Sequence, residues 1–239
     1  MKKRFLITLL GLILVLSACG KKETETVKET TKETDVNITE ETQKENTQEN
    51  DKADMSGEVT YEKLMSIPPT PLEEFEWSNT PERDIALGVY KGEDPMVYIA
   101  DEYDGKKVVK ISGYAYNHNP YVKAIRLGKN LKELGKGVFG TNEVLEIFVS
   151  EGLEVIKEGG FVKAKSLRDV RLNEGLKEIQ NSVFSYCENL REIEIPKSVE
   201  KVELGTFLNS HGLVVKGYAG TPTKEAAETS NAKYEEIKE

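Results

Sequence analysis

The sequence predicts a β-rich solenoid: short parallel strands in about five stacked repeats, closed by a cap at each end and preceded by a secretion signal and a polar tether. Three observations predict it. Ile111, Leu134, Ile156, Ile179 and Val202 precede Tyr116, Phe139, Phe161, Phe184 and Phe207 by a constant interval, and each column recurs about every 22–23 residues. A further apolar residue follows each aromatic: Val122, Val144, Leu167, Leu190 and Leu213, with one residue missing between Phe139 and Val144. Next come alternating pairs, Ile125/Leu127, Ile147/Val149, Val170/Leu172 and Ile193/Ile195, with the period of a strand that buries one face. No unit of this length can bury its own apolar side, so neighbours must stack and supply a shared core. The aromatic column is then a spine, and Phe161→Ala or Phe184→Ala should cost roughly 3–5 kcal/mol.

The first element is Lys2, Lys3 and Arg4 followed by the apolar run Phe5 to Leu16, the form of a secretory signal over residues 1–18. The run is short of the roughly 20 residues that span a bilayer. It ends in Leu16-Ser17-Ala18-Cys19-Gly20, which resembles the bacterial lipobox. That resemblance implies cleavage before Cys19 and transfer of a diacylglyceryl group to its thiol. Cys19 is therefore the expected lipid attachment, and the bacterial cell membrane, on its extracytoplasmic face, the expected location.

Residues 19–70 form the second element. Gly20 to about Ser66 is almost all Lys, Glu, Thr, Asn, Gln and Asp, with no aromatic residue before Tyr61. Such a stretch cannot offset its chain entropy by burial and is expected to be a disordered tether. About 50 flexible residues reach roughly 40 Å. Pro68, Pro69 and Pro71 mark the way into the folded part.

Residues 71–107 read as an N-terminal cap merging into a degenerate first repeat, with strand-like runs at Phe75–Trp77, Ile85–Tyr90 and Met96–Ile99. Terminal repeats of solenoids depart from the pattern because they close the core. Trp77 is expected inside this cap. Residues 108–216 are the repeats. Residues 217–239 are expected to close the other end, with a short helix near Ala226-Ala227 and a strand at Tyr234–Ile237.

The clearest repeat, Val183-Phe184 through Cys187 and Leu190 to Ile193-Glu194-Ile195-Pro196, resembles the BspA-type leucine-rich repeat. The copies at Phe139 and Phe161 match less fully, with Asn142 and Ala164 where Cys187 stands. The resemblance implies a leucine-rich-repeat fold, an inward-packed Cys187, and the family's usual setting in surface or secreted bacterial proteins, several of them associated with adhesion.

Charge narrows the partners. The chain carries 33 basic against 42 acidic side chains, a net −9, and the signal would remove three of the basic ones. So acidic a protein is unsuited to nucleic acid. No catalytic site, metal site or cofactor site is expected: the two histidines, His118 and His211, lie about four repeats apart, and no phosphate loop or paired-cysteine motif occurs. Carboxylate catalysis is the remaining enzymatic reading, and an envelope assembly component the remaining non-catalytic one. The preferred reading is display of the repeats for protein binding or adhesion. The candidate surface is the outward face of the strands, where Arg126, Phe148, Arg171 and Glu194 are expected in one exposed row beside Ala124, Glu146, Asp169 and Glu192. Such strips are where solenoids commonly bind. Oligomeric state is left open.

Overall fold

A computed structural model describes residues 58–238. The signal, Cys19 and nearly all of the expected tether lie outside the described residues. The described part begins with α1 (Tyr61–Ser66), capped by the Thr60 hydroxyl. The first strands are β1 (Phe75–Asn79), β2 (Ile85–Tyr90), β3 (Met96–Ile99), β4 (Glu102–Tyr103) and β5 (Lys106–Ile111). The stack continues through β6 (Ala124–Leu127), β7 (Glu133–Leu134), β8 (Ile147–Ser150), β9 (Val155–Ile156) and β10 (Asp169–Arg171). It ends with β11 (Glu178–Ile179), β12 (Glu192–Glu194), β13 (Lys201–Val202), β14 (Val214–Tyr218), α2 (Thr223–Thr229) and β15 (Lys233–Ile237).

Two walls rise from these strands. One runs β1-β2-β5-β7-β9-β11-β13, parallel throughout except for the antiparallel β1, with β4 folded back on β5. The other is split: β3, β6, β8 and β10 form one parallel sheet, and β12, β14 and β15 form a second. The first repeat joins both walls, since β2 and β3 pair in parallel with β5 and β6, the former with a register irregularity between Ile85 and Ala86.

A third side holds the turns around each aromatic. Here backbone bonds between repeats replace strand pairing. The amides of Tyr116, Phe139, Phe161 and Phe184 donate to the carbonyls of Val138, Gly160, Val183 and Thr206, one repeat on. The residue two before each spine position is left-handed: Tyr114, Gly137, Gly159, Ser182 and Gly205 all have φ between 58° and 77°. Gly137 needs to be glycine twice over, because a Cβ would lie 2.7 Å from the Tyr114 ring.

The aromatic spine is a single file. Tyr116, Phe139, Phe161, Phe184 and Phe207 are all fully buried, with ring centroids 5.1, 5.0, 5.3 and 6.1 Å apart in order. It extends into the cap through Tyr90 and Phe75. Beside it runs a polar column in which each side chain reaches back one repeat. Asn142 Nδ2, Cys187 Sγ and Ser210 Oγ donate to the carbonyls of Tyr116, Phe161 and Phe184 at 3.2, 3.3 and 2.6 Å. Cys187 is buried and free of disulfide.

Three expectations need correction. No residue is missing after Phe139: Leu145, fully buried, fills the column assigned to Val144, which is only half-buried. The next strand is consequently displaced by one residue. Phe148 pairs with Ile125 and Val170 and points into the core, while Ile147 and Val149 face outward. The chain is also packed at positions expected to belong to the free tether. Val59, Leu64 and the half-buried Tyr61, Met65 and Ile67 pack on Met96, Ala124, Ile147 and Val149, so α1 is a strap across the outer face of β3, β6 and β8. Lastly, Trp77 is not cap core; it is 44% exposed on the terminal strand.

Candidate functional site: the outer strand face and its cleft

Parallel stacking places Arg126, Val149 and Arg171 in one register column across β6, β8 and β10. The outward row therefore exists, but Phe148 is not in it. With no exposed area, Phe148 meets the rings of Phe139 and Phe161 edge-on at 5.9 and 4.7 Å.

The charged members of the row are engaged. Arg126 Nε sits 2.6 Å from Glu151 Oε1, and its guanidinium lies 4.3 Å from the Tyr98 ring centre. Arg171 donates through Nε and Nη2 to both oxygens of Asp169 at 3.2 Å, and stacks 3.4 Å from the centre of the strap's Tyr61 ring. Arg168 bonds Glu146 and also the Val59 carbonyl at 3.2 Å. Glu194 accepts from the Tyr218 hydroxyl, and Glu192 pairs with Lys216 at 2.7 Å. The acids Glu146, Asp169, Glu192 and Glu194 are thus each matched with a cation or a donor.

The feature that sequence reasoning missed is the split in this wall. β10 and β12 are neighbours, yet no ladder joins them. Asn173, just after β10, is tied backward: its Oδ1 accepts from Ser150 Oγ and Leu153 N, and its Nδ2 donates to the Leu153 carbonyl. β12 is tied forward to β14. Between them opens a cleft of about 500 Å³. Leu172 is the half-buried apolar side chain of its lining, with Val170 and Ile193 buried beside it; Arg168, Asp169, Arg171, Glu174, Glu192 and Glu194 supply the charge. Two of the four predicted row residues, Arg171 and Glu194, meet here, whereas Arg126 lies on β6, outside the cleft lining. Cys19 lies outside the described residues.

Comparison with known proteins places the architecture. Residues 104–214 match the BspA type Leucine rich repeat region in six copies. The repeats belong to that family. The chain is also similar to a crystal structure of a leucine-rich repeat protein from T. pallidum (TpLRR). It is 27% identical with a TM-score of 0.60, over 62% of this chain and 71% of that one. A leucine-rich repeat protein from Bacteroides ovatus shares the fold at 21% identity and a TM-score of 0.52, over 61% of this chain and 40% of that one. No curated protein matches the chain. The family description covers the repeats, not α1, the N-terminal strands β1 to β3 or the α2–β15 closure.

Among the described residues no group of His, Cys, Asp and Glu side chains is placed to hold a metal ion, and no helix is long and apolar enough to cross a membrane. His118 contacts Thr141 Oγ1, while the His211 carbonyl accepts from Arg191.

Proposed function

We propose that this chain is a bacterial extracytoplasmic lipoprotein, held to the membrane by a lipid on Cys19, that displays its BspA-type repeats to bind another protein. The observation that carries the binding reading is the cleft between β10 and β12. It gathers two arginines and four carboxylates around the half-buried Leu172, on a wall whose strand pairing is interrupted. Mixed charge around a half-buried leucine suits a polypeptide partner better than a uniformly charged one. The relatives add family context: bacterial leucine-rich repeat proteins are similar over most of the described part.

The anchoring reading rests on the order of charged start, apolar run, small residues and Cys19. Cys19→Ser should release the protein from the membrane fraction and abolish acyl labelling. Retention of both would sink it. The binding reading is tested by capture with the untethered domain, followed by Arg171→Ala with Glu194→Ala on the identified pair. Affinity should fall about tenfold or more, whereas Arg126→Ala should matter little. Undiminished binding in the double variant removes the cleft from the proposal.

A further inference from the structure

The paired wall has two ends, and they differ. Among the described residues β1 is the terminal strand at the N-terminal end: one edge pairs with β2 and the other carries no strand. Glu76, Trp77, Ser78 and Asn79 are all exposed along it. An edge of this kind is a template for another strand, and folded proteins usually blunt it with a lysine, a proline or a bulge in the edge strand. Here Pro71 and Pro81 flank the strand but none lies within it, it holds no lysine, and the one register irregularity of the β1–β2 pair lies at its start, between Phe75 and Trp77. It exposes instead the chain's single tryptophan, 44% accessible, with Val89 of β2 at 47%.

The end is also acidic. Between Pro71 and Pro95 the chain carries seven acidic side chains against Arg83 and Lys91. Two such ends brought face to face would repel, which disfavours a second copy of this chain as the occupant. A cation is already accommodated there: Lys106 Nζ lies 5.5 Å from the Trp77 ring centre and bonds Asn79 Oδ1 at 3.2 Å. The other wall closes at a comparable level, where the Thr70 amide bonds the Tyr98 carbonyl beyond β3.

We propose that the free edge of β1 takes up an extended, basic segment of another protein as an added strand. Main-chain bonds to β1 supply the register, a side chain opposite Trp77 covers the ring, and lysines or arginines answer the acidic surround. This surface is separate from the β10–β12 cleft and does not depend on it.

The test uses the full chain and a synthetic ten-residue peptide of alternating lysine and valine, read by Trp77 emission and by amide exchange at residues 76–79. Three results are expected. The peptide shifts the emission saturably, slows exchange of the β1 edge amides, and binds more weakly as salt is added. A version with proline at its two central valines keeps the charge but cannot complete a ladder, and should bind about tenfold more weakly or worse. An alternating glutamate–valine peptide should fail. Glu73→Lys with Glu76→Lys, both at exposed positions, should reverse the preference, while Arg171→Ala should leave it unchanged. Equal binding of the proline peptide would reduce the effect to charge attraction and overturn the proposal. So would an unmoved Trp77 signal at saturating peptide. A concentration-dependent shift in the chain alone would identify a second copy as the occupant and overturn it equally.

Discussion

At Tyr116 the spine carries a hydroxyl where the later repeats have a bare phenylalanine ring. The residue has no exposed surface, and its oxygen has no hydrogen-bond partner. Burial, with Tyr90 and Tyr103 nearby, pushes its ionisation well above the ordinary tyrosine range. Tyr116→Phe should therefore raise stability by about 1–2 kcal/mol, the cost of an unsatisfied buried hydroxyl, seen as a higher urea midpoint. Cys187 is the contrasting case, because its thiol is used. Burial pushes its pKa up to about 12. The neutral thiol contributes fully below the unfolded value of about 8.5, and that contribution is lost as pH rises toward the folded one. Iodoacetamide should leave Cys187 unmodified in the native protein at pH 8 and alkylate it promptly in urea. Rapid native alkylation would show that the column is not closed. The spine and the Cys187 environment were legible because each depends on a residue recurring in a fixed frame. Phe148 was not. Leu145-Glu-Ile-Phe-Val149 is apolar at both parities, so alternation cannot say which face is inside. Burial of both faces erased the signal: Phe148 faces the core, and Ile147 and Val149 face the strap.

The strap is the element that makes those outward residues intelligible. Leu64 is fully buried between α1 and the wall. Leu64→Ala should cost about 2–5 kcal/mol, as for a core leucine, despite lying in a six-residue helix at the edge of the described chain. Phe148→Ala should cost roughly 3–5 kcal/mol, whereas an exposed phenylalanine would scarcely register. Both are read by denaturant unfolding. The strap was hidden because the polar composition before it dominates the reading. Val59, Tyr61, Leu64, Met65 and Ile67 are the signal that was available, an apolar stripe on a Thr60-capped turn. The wall split was not readable at all, since Val170 and Ile193 keep the repeat frame across it. What separates β10 from β12 is the backward tie of Asn173, a side chain whose direction no periodicity reveals.

Across the whole molecule the repeats are laced by ion pairs running from turn to turn. Lys132–Glu154 and Lys177–Glu200, at 3.3 and 2.8 Å, are exposed and contribute little individually. Glu133 is better placed. Burial opposes its ionisation, but Lys110 and Lys157, 2.6 and 2.9 Å away, prevail and hold its pKa below the usual carboxylate value. A depressed folded pKa gives stability that is present above the unfolded value near 4.3 and is lost as pH falls through the folded one. The stability difference between the parent and Glu133→Gln should thus be largest at neutral pH and shrink in acid; a constant gap would assign the loss to shape. Stacking itself was the most legible property of this chain, because every repeat restates it. How the stack is closed was less so, since each end is written only once. The strap carries one more consequence. It enters on the flank, at Arg168 and Arg171, and crosses to the Pro68–Pro69 corner, so a force drawn through the N-terminal side would not load the two walls first. It would lift Val59 and Tyr61 from their arginines, then Leu64 from its seat, one hold after another as a zip opens. The domain has a built-in point of yielding that spares the stacked core.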